Sequence, residues 1–283
     1  MSLGVFLAVL GAAFLHAAWN GLIRTGNPGG SRLQNLLVMA LVQGAIGLAM
    51  LAFAPFPPAR VWPWLIAAAA LHTAYKLCLS AAYDHGDLSR VYPLARGSAP
   101  LMVLAASALV GADHLTAGEV AAVLVLVAGI MAMAGGAIRA GENRRLIPWA
   151  LATAVMTTGY TLVDGLGARA AGHLTMFLGW TFALDGLFFG LAVAALRGTA
   201  PFRVSPAGWG RGALAAAASL GAYGVVVWAM TQAPIALVGA LRECSILFAM
   251  LIGWRLFHEP MGRDKAVAGG LILAGVALMR VAA

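Results

Sequence analysis

Apolar residues run along this chain in long blocks, and each block ends in a cluster of Arg, Gly, Pro or Asn. A helix that crosses a bilayer needs about 20 predominantly apolar residues. The blocks predict ten such helices, over residues 3–23, 33–55, 61–83, 90–110, 117–138, 146–167, 174–196, 208–230, 234–255 and 265–281. The connections between them, such as "RTGNPGGSR" and "AFAPFPPAR", are short and rich in turn-forming residues, so no soluble domain fits between the spans. The expected fold is all-α and integral to the membrane. The first block lacks the basic start of a secretory signal and is followed by nine more, so it is read as a retained helix.

Composition agrees with that pattern. Of 283 residues, 62% are hydrophobic and 10% charged, against about 45–50% and about 25% in an ordinary soluble domain. Cys78 and Cys244 are the only cysteines, both lie inside predicted spans, and neither sits in a CxxC or Cys/His spacing. Neither a disulfide framework nor a zinc site is indicated. The "HEP" at His258–Pro260 lacks the spacing of a zinc hydrolase, and no Gly-rich phosphate loop follows a strand, so neither metal nor cofactor is expected. The net charge of +8 lies mostly at helix ends, which speaks for orientation and against nucleic acid. Twelve Lys or Arg, from Arg24 and Arg32 to Arg263 and Lys265, fall in the odd-numbered connections, and three, Arg60, Arg169 and Arg280, on the other side. Taken alone, the positive-inside rule puts both termini outside the cytoplasm.

The two halves resemble each other. A shift of 146 residues places Arg96 on Arg242, Asp113 on Glu259, Gly129 on Gly275 and Met133 on Met279. Shifts of 148 and 144 place Tyr75 on Tyr223, His16 on Tyr160 and Asn20 on Asp164. Residues 1–140 and 141–283 would then each hold five helices. An odd number of crossings obliges the second half to enter from the opposite face, giving two inverted five-helix repeats around a central cavity.

This layout, with "HAAWNGLIR" in the first helix, "VYPLARGSAPLMVLAASALVGADHLTAGEVAAVLVLVAGIMAM" and "LFHEPMGRDKAVAGGLILAGVALMR", resembles the EamA family of the drug/metabolite transporter superfamily. The resemblance implies two bundles of five helices enclosing a substrate path, and a role in moving metabolites, amino acids or drugs. Its most family-like pieces are Asp113 with Gly129 and Glu259 with Gly275. It also implies termini inside the cytoplasm, opposite to the charge count.

Six ionisable residues lie deep in predicted spans: Lys76, Arg96, Asp164, Asp185, Arg242 and Glu243. Each costs about 2.5–3.5 kcal/mol at a helix centre, so each needs a partner or a wet cavity. Helical spacing puts His16 with Asn20 on one face, His72 with Tyr75, Lys76, Ser80 and Tyr83 on another, and Tyr92 with Arg96 on a third. Thr157, Tyr160, Thr161 and Asp164 form a fourth such face. The expected substrate-binding set is His16, Trp19, Asn20, Tyr75, Tyr92, Arg96, Tyr160, Trp180, Tyr223 and Arg242. Lys76, Asp164, Asp185 and Glu243 are expected to serve as ion pairs or coupling groups, with Lys76 alternatively snorkelling to the end of its helix. Adjacent residues point about 100° apart on a helix, so Glu243 is expected to answer Lys76 or another basic group rather than Arg242. Trp62, Trp64 and Trp149 stand near span ends and read as interfacial anchors.

Two symmetry-related arginines favour a carboxylate- or phosphate-bearing solute, because a guanidinium keeps its charge when buried and forks onto such groups. The expected function is a secondary transporter of a small anionic or zwitterionic metabolite such as an amino acid, organic acid or phosphonate, with proton coupling through Glu243 or Asp164. The setting is a multi-pass protein of the bacterial cytoplasmic membrane, whose partners are its solute and the lipid bilayer. One chain suffices to build the site, and a dimer stays open. The alternatives are an exporter of cationic or hydrophobic drugs, a membrane scaffold, and an intramembrane enzyme built on Ser98 with Lys76 or Asp164 with Asp185.

Overall fold

A computed structural model describes residues 1–24, 31–85, 88–138, 146–258 and 261–282, with the side chains of 19–24, 32, 83–85, 88–95, 134–138, 146 and 256–257 left aside. Its regular structure is helical throughout. The helices are α1 (Leu3–Arg24), α2 (Arg32–Leu51), α3 (Trp62–His85), α4 (Leu88–Leu109), α5 (Ala117–Ile138), α6 (Leu146–Ala171), α7 (Leu174–Arg197), α8 (Pro206–Gln232), α9 (Ile235–Arg242), α10 (Ser245–Phe257) and α11 (Arg263–Ala282). Short 3₁₀ turns at Ala59–Val61 and Ala200–Phe202 lead into α3 and follow α7.

Local signals set the helix ends. Ser31 and Ser205 cap α2 and α8 by accepting from Gln34 N at 3.1 Å and Gly208 N at 3.2 Å. Thr116 and Glu119 form a capping box ahead of α5: the Thr116 hydroxyl accepts from Glu119 N at 3.2 Å and the Glu119 carboxylate from Thr116 N at 2.8 Å. α7 stops at Gly198, whose φ of 68° suits glycine.

Among the described residues, six helical segments are long and apolar enough to cross a membrane: Leu33–Leu51, Ala59–Ala82, Leu174–Arg197, Pro206–Gln232, Ile235–Arg255 and Arg263–Ala282. Large apolar side chains stand exposed around the outside, among them Leu7, Phe14, Leu48, Leu109, Leu187, Leu191, Leu214 and Leu273. The interior buries Lys76, Arg96, Asp164, Asp185, Arg242 and Glu243. This polarity suits a hydrocarbon solvent.

Helix pairing follows a simple rule. α5 packs on α11 and α2 on α7, while α3 packs on α6 and α7, α8 on α1 and α2, α4 on α6, and α10 on α1. Exchanging α1 with α6, α2 with α7, α3 with α8, α4 with α9–α10 and α5 with α11 returns these same pairings, whereas the α4–α5 contact has no counterpart of similar extent between α10 and α11 among the described residues. The self-paired contacts α5–α11 and α2–α7 are the tightest. A Cβ on Gly129 would lie 2.8 Å from Ile272 N, one on Gly275 2.6 Å from Leu126 N, and one on Gly186 2.9 Å from Ala40 O. Small residues let these backbones meet.

One predicted span departs from the pattern. Residues 234–255 form two helices, because Glu243 and Cys244 take φ/ψ of −69°/−9° and −58°/−14°. Their N–H groups donate to Ala240 O and Leu241 O, both at 3.0 Å, and those of Ile246 and Leu247 to Glu243 O and Cys244 O at 3.0 and 2.9 Å. That i to i+3 pattern is a 3₁₀ turn in mid-span, a feature common at hinges. Apolar periodicity carries no sign of it.

Gly275→Val is expected to lower stability by roughly 1–3 kcal/mol, because a backbone atom already fills the added volume. Gly270→Ala, which meets nothing within 4 Å, is expected to change nothing. Thermal unfolding of the two purified variants checks this, and equal melting temperatures would contradict the packing described.

Candidate functional site

The 3₁₀ turn puts Arg242 at the end of α9 and Glu243 beside it, both at the centre of the bundle. Arg96 reaches across from α4. Its Nη1 donates to Glu243 Oε1 at 2.9 Å and Oε2 at 3.1 Å, and Arg242 Nη2 donates to Oε1 at 3.4 Å. One carboxylate thus sits between two guanidiniums. Arg96 Nη2 also lies 2.6 Å from His16 Nε2 on α1. Since a guanidinium can only donate, that imidazole nitrogen accepts, and the proton of His16 is on Nδ1.

A second group adjoins the first. His72 Nε2 on α3 is 2.9 Å from Asp164 Oδ2 on α6 and 3.2 Å from the Tyr223 hydroxyl on α8. The ring of His72 stacks on Tyr160 at 4.3 Å, Tyr75 meets Tyr160 edge-on at 5.4 Å, and Phe182 backs Tyr223 at 5.2 Å. The Arg242 guanidinium lies 5.9 Å from the Tyr160 ring centre, which joins the two groups. Lys76 and Asp185 form a separate pair, with Nζ 2.6 and 2.5 Å from the two carboxylate oxygens and 5.4 Å from the Phe189 ring.

Several expectations change here. Glu243 answers another basic group on a different helix, Arg96, as the alternative expectation had it, and Arg242 besides, but not Lys76, which Asp185 holds. Lys76 is buried and does not snorkel. Arg242 and Glu243 do touch: backbone directions alone keep them apart, but both side chains are long, and Arg96 draws the carboxylate to where Nη2 reaches it. Trp180 stands among other aromatic rings. It packs with Trp62 at 4.9 Å and Phe56 at 5.7 Å, where large apolar rings fill the junction of α2, α3 and α7. Thr157 donates to the Thr153 carbonyl of its own helix at 2.8 Å. The side chains of Trp19, Asn20 and Tyr92 lie outside the described residues.

Two elements went unassigned in the sequence. His72 lies on a polar stripe, yet only the fold reveals it as the joint between Asp164, Tyr160 and Tyr223. Arg169, which entered only as a topological charge, ties together one end of the bundle. Its Nε donates to Met230 O at 2.8 Å, and its Nη atoms donate to Ala112 O at 3.2 Å, Ala233 O at 2.9 Å and Asp113 Oδ1 at 3.0 Å. Asp113 Oδ2 accepts from Ile235 N at 2.5 Å and so caps α9 from another loop.

Buried charges, a mid-span turn and lipid-facing walls are the parts of a membrane solute carrier. Residues 144–281 match the EamA-like transporter family. The second half of the chain thus carries the pattern of the EamA-like transporter family. That family, within the drug/metabolite transporter superfamily, comprises transporters and not enzymes. The chain shares its fold with a solved structure titled "Crystal structure of protein", with a TM-score of 0.78 over 99% of each chain at 19% identity. Comparison with curated proteins gives no match.

Lys76→Met leaves Asp185 buried and unpaired, with an expected cost of about 3–5 kcal/mol. The double variant Lys76→Met/Asp185→Leu is expected to recover most of that. A double-mutant cycle of thermal unfolding tests the pair, and additive losses would exclude a direct interaction.

Proposed function

We propose that this protein is a secondary transporter carrying a small anionic or zwitterionic metabolite across the bacterial cytoplasmic membrane by alternating access. The observation that carries the reading is the Glu243 carboxylate held between Arg96 and Arg242. A guanidinium pair facing a buried carboxylate is built to bind such groups. Glu243 stands where the anionic end of a solute would sit, so solute and Glu243 compete for the arginines. Release of Glu243, by protonation or by displacement, is then the coupling step. His16, Tyr75, Tyr160 and Tyr223 supply the surrounding wall, and Asp164 is a second candidate for a coupling proton.

The architecture proposed is ten spans in two inverted repeats, residues 1–140 and 141–283, rocking about the α2–α7 and α5–α11 contacts. The exchange symmetry of the helix pairings supports it, as does the correspondence of Arg96 with Arg242. All the side chains invoked come from one chain, so a monomer suffices. An exporter of cations fits less well, because two arginines front the site. The enzyme readings lose their pairs: Lys76 is bonded to Asp185, and Asp164 to His72.

Counterflow of radiolabelled amino acids, organic acids and phosphonates in proteoliposomes tests the proposal. Arg96→Gln and Arg242→Gln are each expected to cut flux of the accepted solute at least about tenfold, as loss of one charged hydrogen bond costs roughly 1.5–3 kcal/mol. Glu243→Gln is expected to flatten its pH dependence. Normal flux in both arginine variants would overturn the paired-arginine site.

A further inference from the structure

We propose that the central site takes a zwitterion, with its anionic end on Arg242 and its cationic end on Asp164 and Thr161. This rests on the transporter reading above and narrows the solute class.

The ion pairs leave two charges over. Lys76 and Asp185 close on each other through both carboxylate oxygens, and Arg96 takes both oxygens of Glu243. Arg242 keeps one long contact, 3.4 Å to an oxygen Arg96 already holds. Asp164 keeps one contact to a cation-forming side chain, the His72 ring on Oδ2.

Unpartnered atoms point the same way. Among the described residues, six buried side-chain polar atoms lack a hydrogen bond; beside the hydroxyls of Thr73, Thr181 and Ser245 they are Arg242 Nε, Asp164 Oδ1 and Thr161 Oγ1, on residues 8%, 1% and 1% exposed. Leaving such atoms unmet is costly. Nε–H can only donate, which suits a carboxylate or phosphonate. The Asp164 oxygen accepts and the Thr161 hydroxyl can accept, which suits an ammonium group.

Geometry sets these atoms along one seam. Thr161 and Asp164 are three apart on α6 and share a face. The Thr161 methyl packs toward Gly239 on α9, where a Cβ would meet it at 3.6 Å, and Gly239 is three residues before Arg242. Between the two ends lies the Tyr160 ring, stacked on the His72 that holds the other oxygen of Asp164. Aromatic faces there attract the cationic end. A simple anion leaves Asp164 unmet, and a simple cation leaves Arg242 unmet. Water satisfies single atoms but neutralises neither charge.

The test uses the full-length purified protein in detergent and reads thermal unfolding. The probes are leucine, phenylalanine, 4-aminobutyrate and 6-aminohexanoate, each beside its deaminated acid and its methyl ester. A zwitterion is expected to raise Tm, while its acid and its ester each need roughly 10- to 100-fold more for the same shift. Asp164→Asn is expected to erase the preference for the amine and keep binding of the acid. Thr161→Val, which keeps the shape of the side chain, is expected to weaken the amine preference without lowering the unliganded Tm, so a folding defect cannot mimic the result. Arg242→Gln is expected to erase the preference for the carboxylate. A deaminated acid that binds wild type as tightly as its zwitterion overturns the Asp164 seat and leaves the arginine reading standing. An ester that binds as tightly overturns the arginine seat, and silence from every probe overturns both.

Discussion

A charge placed inside a bundle whose outer surface meets hydrocarbon must be answered by a charge or donor on another helix, because neither lipid nor its own backbone can answer it. That demand accounts for most of the long-range order of this protein. Lys76 on α3 fixes α7 through Asp185, Arg96 on α4 fixes the turn after α9 through Glu243, and His72 links α3 to α6 and α8. Six ionised residues thereby set which helices lie together. The apolar contacts, from Gly129 against Ile272 to Gly186 against Ala40, then set how closely they lie.

Helix existence was legible in the sequence because a spanning segment must satisfy its own backbone, so length and hydropathy are close to a sufficient signal. The stripes containing His16, Tyr75, Tyr160 and Asp164 were legible too, since polar residues at helical spacing in a lipid-facing segment have to turn inward. What spacing could not provide was partner choice. Nothing in the sequence around Lys76 distinguishes Asp185 from Glu243 as its mate; only helix order in space does. The turn at Glu243 and Cys244 left no trace either, because no Gly or Pro marks it and its hydrogen bonds merely shorten from i+4 to i+3. Nor does spacing show that Trp180 packs on Trp62.

The site differs from a simple binding pocket in being occupied by its own chain. Glu243 faces both arginines, which lowers the cost of keeping two guanidiniums in a low-dielectric interior. The same carboxylate therefore stabilises the fold and, in the function proposed, is the group that cargo displaces. Asp164, with one oxygen held by His72 and one unmet, lacks such an internal stand-in.

The short helix α9 has an electrical consequence. Its eight residues measure about 12 Å, and Asp113 fixes its start at one end of the bundle. Arg242 and Glu243 then stand near the middle of a hydrocarbon layer about 30 Å thick. A full transmembrane potential is worth about 2.3 kcal/mol per unit charge per 100 mV. A charge held at that depth stands across about half of it, so a transmembrane potential acts directly on Glu243 and the two arginines that hold it.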